Sequence, residues 1–111
     1  MMGSISALCA IVDESKAWAM EGLEMNLFTD GTLKGAGMPG TSLTETQRAD
    51  IQSRIEEIGG KFKNYITTRR GKIDPAAMQG QAIYGDRAVA LGLADATLPS
   101  LQHCLAVLMQ A

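Results

Sequence analysis

The sequence predicts an α/β fold, and three observations carry that reading. ISALCAIV, Ile5 to Val12, is a nearly continuous apolar run, the pattern of a strand buried on both faces. Leu23, Met25 and Leu27 alternate with Glu24 and Asn26, which marks a second strand through Phe28. Ile51, Ile55, Ile58, Phe62 and Ile66 then recur at spacings of three and four, one apolar stripe on a helix that reaches Arg69. Strand, helix, strand and further helices, with two-faced apolar strands, indicate layered α/β architecture.

The connecting elements follow from local chemistry. Asp13 or Ser15 is placed to cap a short helix through Ala17, Trp18 and Met20, which Gly22 stops. A glycine-rich loop runs from Thr29 to Leu43. Thr44-Glu45-Thr46-Gln47 fits a capping box, in which the Thr hydroxyl and the Gln amide satisfy orphan N–H groups at the start of the long helix. Gly59-Gly60 lies inside that helix at a propensity cost of about 2 kcal/mol, so a close neighbour or a bend is expected there. Asp74-Pro75 is an N-cap followed by proline at the first helical position. Gln81 to Tyr84 reads as a short extended piece, and Asp86 to Leu91 as a two-turn helix closed by Gly92, with Leu93-Ala94-Asp95 leading outward. Ser100 caps a final helix that carries Leu101, Cys104, Leu105 and Leu108 on one side. No internal repeat, linker or low-complexity tract interrupts this order.

Composition bounds the function. The 111 residues make one domain at most or a piece of a larger one, and a hydrophobic content of 46% against 20% charged is enough for a core. A net charge of −2 with no basic face argues against nucleic acid or anionic lipid as partner. The apolar runs are too short to span a bilayer, and no signal peptide is recognisable. Cys9 and Cys104 lack ligand-like spacing and sit in apolar runs, so both are expected to be buried free thiols in a reducing, cytoplasmic setting. No cofactor or metal is implied.

GTLKGAGMPG, residues 31 to 40, spells G-x-G-x-x-G through Gly35, Gly37 and Gly40. A dinucleotide fingerprint needs its first glycine at a strand end and a helix starting within the motif. Here six residues separate Phe28 from Gly35, Pro39 interrupts, and the helix waits until Glu45. A P-loop fails as well, because its lysine follows the glycines and Lys34 precedes them. A phosphate cradle is rejected. Lys34 is then either a solvated loop lysine or a general base. A base must be neutral, so its pKa has to fall from about 10.4 toward about 7, equivalent to about 4–5 kcal/mol of destabilised charge. Burial away from carboxylates would do this. Leu33, Ala36, Gly37 and Met38 carry no charge, and the nearest acid, Asp30, is four residues away. These residues permit a base without selecting it.

Four stretches together resemble the signal peptide peptidase A family of serine peptidases, including its phage and prophage head members. GSIS at Gly3 to Ser6 resembles the family's Gly-Ser-Ile-Gly before an apolar strand. GTLKGAGMPG resembles its lysine loop, LTETQRADIQSRIEEIGGKFKNYITTRRG the long helix after it, and MQGQAIYGDRAVALGLAD the short helix ending in Gly-Leu-Val-Asp. The match covers nearly the whole chain in family order. It implies a Clp protease/crotonase-like fold of parallel strands with flanking helices and a long helical arm, and assembly into a homo-oligomer. By position it implies that Lys34 is the catalytic general base of a Ser/Lys dyad and that Ser4 orients the amine.

Two departures matter. Ser6 replaces the motif's second glycine, with a slight effect expected on the strand's approach to a neighbour. More important, the family's nucleophilic serine lies upstream of Gly-Ser-Ile-Gly, and Ser15, Ser42, Ser53 and Ser100 do not match its position. Residues 1–111 are therefore expected to be the C-terminal portion of a single peptidase domain, acting on peptide substrates only with the upstream part and inactive alone. The alternative is a non-catalytic structural or assembly module from an internal start, for example in a phage head. Other candidates are weaker. His103 is expected in solvent, which disfavours a Ser-His-Asp triad. Asp13/Glu14 and Glu56/Glu57 point apart as sequence neighbours. Arg69-Arg70 is expected to meet the helix's C-terminal carbonyls, and Trp18 to lie in the core.

Overall fold

Reciprocal capping starts the longest element of the molecule. The computed structural model describes all residues, Met1–Ala111. In chain order these form β1 (Met2–Gly3), α1 (Ser15–Met20), α2 (Glu45–Arg70), a 3-10 turn (Pro75–Ala77), β2 (Ala82–Ile83), α3 (Gly85–Ala90) and α4 (Leu101–Met109). At the start of α2 the Thr44 N–H donates to Gln47 Oε1 at 3.0 Å, and the Gln47 N–H donates to Thr44 Oγ1 at 3.2 Å. That is the capping box the sequence predicts. The chain divides into two compact units, Met1–Ser6 with Gly60–Ala111, and Ala7–Gly59.

The first unit holds the apolar core. Ile5, Ile73, Ala77, Met78, Ile83, Ala88 and Leu93 are buried together, with Ile66, Leu91 and Ala94 packed against them. β1 pairs antiparallel with β2, Met2 opposite Ile83 and Gly3 opposite Ala82, and the Ser4 N–H extends the ribbon to the Gln81 carbonyl at 2.8 Å. Asp74 accepts from the Ala76 N–H at 2.9 Å, so the Asp-Pro pair caps a 3-10 turn that puts Ala77 at the centre of the core. Gly92 ends α3 at φ +81°, and a Cβ there would collide with the Lys72 carbonyl oxygen. Ser100 Oγ accepts from the His103 N–H at 3.2 Å and caps α4, whose Leu101, Leu105 and Leu108 remain exposed.

The second unit departs from the sequence reading. Neither the 5–12 segment nor the 23–28 segment forms a strand, and the single sheet is antiparallel, not parallel, in a mostly helical chain. Ile5 is buried within the first unit, but Leu8 is 85% exposed and Phe28 91% exposed. The reason is physical. A strand buried on both faces exists only where neighbouring strands take its N–H and C=O groups and other layers cover its side chains. No segment of these 111 residues pairs with either run. Cys9 is consequently exposed and Cys104 half-buried, which corrects the expectation of two buried thiols.

The stripe on α2 also shifts. Ile58 and Phe62 are exposed, and the covered line of the first four turns runs Gln47, Ile51, Ile55, Gly59 in steps of four. Gly59 is buried, but a Cβ there would make only an ordinary van der Waals contact, 3.9 Å from the Ala7 Cβ, so the packing does not require the glycine pair. Gly60 faces open space. No helix is long and apolar enough to cross a membrane. Gly60→Ala is expected to raise stability by about 1 kcal/mol by removing a helix-interior glycine. Gly92→Ala should cost at least about 1–2 kcal/mol from the left-handed backbone alone, with the collision adding to it. Denaturant unfolding of the two variants checks both signs.

Candidate functional site

Three consecutive turns build the lysine loop. The Lys34 N–H donates to the Gly31 carbonyl at 3.1 Å, the Met38 N–H to Gly35 at 3.1 Å, and the Thr41 N–H to Met38 at 3.2 Å. The last turn has Pro39 and then Gly40 at its centre, with Gly40 at φ +78°, the type II arrangement. Its carbonyl is held twice, because Thr41 Oγ1 donates to Met38 O at 2.7 Å. Gly40 also admits a neighbour. A Cβ there would lie 2.5 Å from Trp18 Cε3, so the indole rests directly on the glycine. Trp18 is only half-buried, since this loop rather than a core is what covers it.

Two side-chain tethers fix the ends of the loop. Gln47, buried at 8% exposure, donates from Nε2 to the Thr32 carbonyl at 3.3 Å while its Oε1 serves the capping box. At the other end Ser42 Oγ lies 2.9 Å from Ser15 Oγ. Ser15 in turn donates to Asp13 Oδ1 from its hydroxyl at 2.6 Å and from its N–H at 3.0 Å. These bonds, Ser15's first, hold the Asp13 carboxyl below its ordinary value of 3.8, with Arg48 adding attraction. Asp13 thus accepts from Ser15, the first residue of α1, while Glu14 holds the cap position without a side-chain cap bond, so neither Asp13 nor Ser15 is the cap that the sequence predicts. Lys34 itself is exposed.

Ser4 belongs to the first unit and Lys34 to the second. Ser4 is exposed and has φ +55°, the left-handed region that a non-glycine residue visits at a cost. Its backbone is held in place from both sides, by Ser4 N–H to Gln81 O and by Ser6 N–H to Ser4 O at 3.1 Å.

The paired arginines do not cap their helix. Arg70 donates from Nε to the Gly92 carbonyl at 3.2 Å and from its two terminal nitrogens to Asp95 at 3.1 and 2.9 Å. That fork, tying the end of α2 to the turn after α3, holds the Asp95 carboxyl below its usual range. Arg69 stacks 3.6 Å over the Tyr65 ring, beside an apolar groove of about 380 Å³ lined by Ile5, Phe62, Ile66 and Leu93. His103 lies in solvent beside its own helix cap, as the sequence predicts. No three of the His, Cys, Asp and Glu side chains gather where a metal ion would sit.

The landmarks now stand in a definite order: a Gly-Ser-Ile run beside a ribbon, a lysine on a glycine loop, a capping-box helix and a Gly-Leu-Ala-Asp turn tied by arginine. The family model of peptidase family S49 matches residues 1–111. The chain belongs to peptidase family S49. No curated protein matches it. The sequence points to Lys34, Ser4 and the capping-box role of Gln47, but carries no signal for Gln47's second bond. The Arg70–Asp95 fork joins residues 25 apart and had no local signal.

Both depressed carboxyls titrate below their unfolded values, so what they contribute is present above the unfolded pKa and disappears as pH falls through the folded one. Ser15→Ala is expected to bring the Asp13 titration back up toward 3.8, read from its carboxyl carbon by NMR. Arg70→Ala should do the same for Asp95 and leave Asp13 unmoved.

Proposed function

We propose that this chain is the base-bearing part of a Ser/Lys endopeptidase. Lys34, as the neutral amine, takes the proton of a serine hydroxyl supplied by sequence upstream of Gly3, and the serine oxygen attacks the scissile carbonyl of a peptide. The protonated amine then gives its proton to the leaving nitrogen. Ser4 holds the amine by hydrogen bonding to it. The match to peptidase family S49 over the full 111 residues carries this reading. The φ of +55° at Ser4 supports it, since strain of this kind collects at sites where a group must be aimed. Lys34 is exposed, so the apolar cover that a neutral amine needs would come from the rest of the protein.

The same need applies to the two apolar runs. In a Clp protease/crotonase-like arrangement Ile5–Val12 and Leu23–Phe28 would join a parallel sheet whose other strands lie outside this sequence. Exposed Leu8, Val12 and Phe28 favour association in any case, so a homo-oligomer well above 11.8 kDa is expected in size-exclusion chromatography. The same exposure supports the second reading, a non-catalytic assembly module, if no upstream serine segment is translated with this chain.

Peptide cleavage decides between them. The chain alone is expected to hydrolyse nothing. Joined to its upstream coding sequence it should cleave peptides, and Lys34→Ala should lower kcat by a factor on the order of 10²–10⁴. Lys34→Arg should not restore it, because a guanidinium stays charged. Undiminished cleavage by Lys34→Ala would remove the lysine from the mechanism.

A further inference from the structure

We propose that Gln47 is a positioning residue for Lys34, an inference that rests on the general-base reading of that lysine. A capping-box Gln needs only its side-chain oxygen, which accepts the N–H of the cap residue. Here Oε1 does that work toward Thr44 at 3.0 Å, and the amide nitrogen, free for another role, donates to the Thr32 carbonyl at 3.3 Å. Gln47 is buried and both bonds are partly buried, which limits competition from water. Thr32 is two residues before Lys34. The carbonyl next to it, Gly31 O, is held by the Lys34 N–H at 3.1 Å and by Thr29 Oγ1 at 3.0 Å. Both peptide groups leading into the lysine are therefore fixed, one to the loop itself and the other to the first turn of a 26-residue helix.

The consequence is directional. A glycine-rich loop with left-handed residues at Gly35, Gly37 and Gly40 has little stiffness of its own. The Gln47 amide transfers the rigidity of α2 to the backbone that aims the amine. An ordinary cap would order the helix and leave the loop to itself.

Two variants separate these roles. Gln47→Glu keeps an oxygen for the Thr44 N–H and loses the donor to Thr32. Thr44→Ala loses the cap oxygen and keeps the donor. The readout is site-resolved cleavage of the purified chain by a lysine-specific endoproteinase, followed by mass spectrometry. Gln47→Glu is expected to speed cutting at Lys34–Gly35 about five-fold, with Lys61 and Lys63 unchanged, because cleavage follows the population of the opened loop. Thr44→Ala should leave the Lys34 rate near wild type while amide exchange at the start of α2 accelerates. In the full-length enzyme Gln47→Glu should lower kcat with KM unchanged. Equal cutting of Gln47→Glu and wild type at Lys34, or equally fast cutting of Thr44→Ala, overturns the tether and leaves the general base standing. A silent Lys34→Ala removes the base, whereas the cleavage result still reports the tether by itself.

Discussion

No apolar side chain in Ala7–Gly59 is fully buried, and much of the molecule follows from that. The buried hydrophobic residues all belong to the other unit, gathered around Ala77 and Ile83, while in Ala7–Gly59 burial is confined to Gln47 and Gly59. Burial of apolar surface is the main favourable term in folding, at about 25 cal/mol per Å². A unit without it depends on hydrogen bonds and turns for its form, and these contribute modestly when water can compete. The turns, hydroxyl pairs and amide tethers of the lysine loop are the local devices that remain.

This division explains which parts of the sequence were legible. Capping is a contract between residues two or three apart, and Thr44 with Gln47, Asp74 with Ala76, and Ser100 with His103 all keep it. Helix-ending glycines are equally local, and Gly22 and Gly92 have the positive φ their positions demand. Strands are different. The apolar run at Ile5–Val12 signals burial on both faces, but pairing is a property of two segments, and no segment of this sequence pairs with it. The helix stripe shifts for a smaller reason: the side of α2 that faces Ala7 carries Gly59, so a glycine joins the covered line and Ile58 lies off it.

The candidate site divides the same way. Lys34 and Ser4 emerged from motif order rather than from any pattern of charge or periodicity. The loop's geometry around Lys34 was half visible, in its glycines and in the capping box. The other half, the reach of Gln47 to a carbonyl fifteen residues back and of Ser42 to Ser15, depends on how the chain folds over itself. In the family's mechanism a lysine must be both uncharged and accurately aimed. The tethers fix the backbone on which Lys34 sits, which bears on the second demand only.

The contact between Trp18 and Gly40 has a practical side. The sequence contains a single tryptophan, and it leans on the turn that ends the lysine loop. Its ultraviolet emission is thus a native reporter of that turn. Any ligand, subunit or covering segment that dries or displaces the neighbourhood of the lysine would register as a change in wavelength or quenching, without a label being attached.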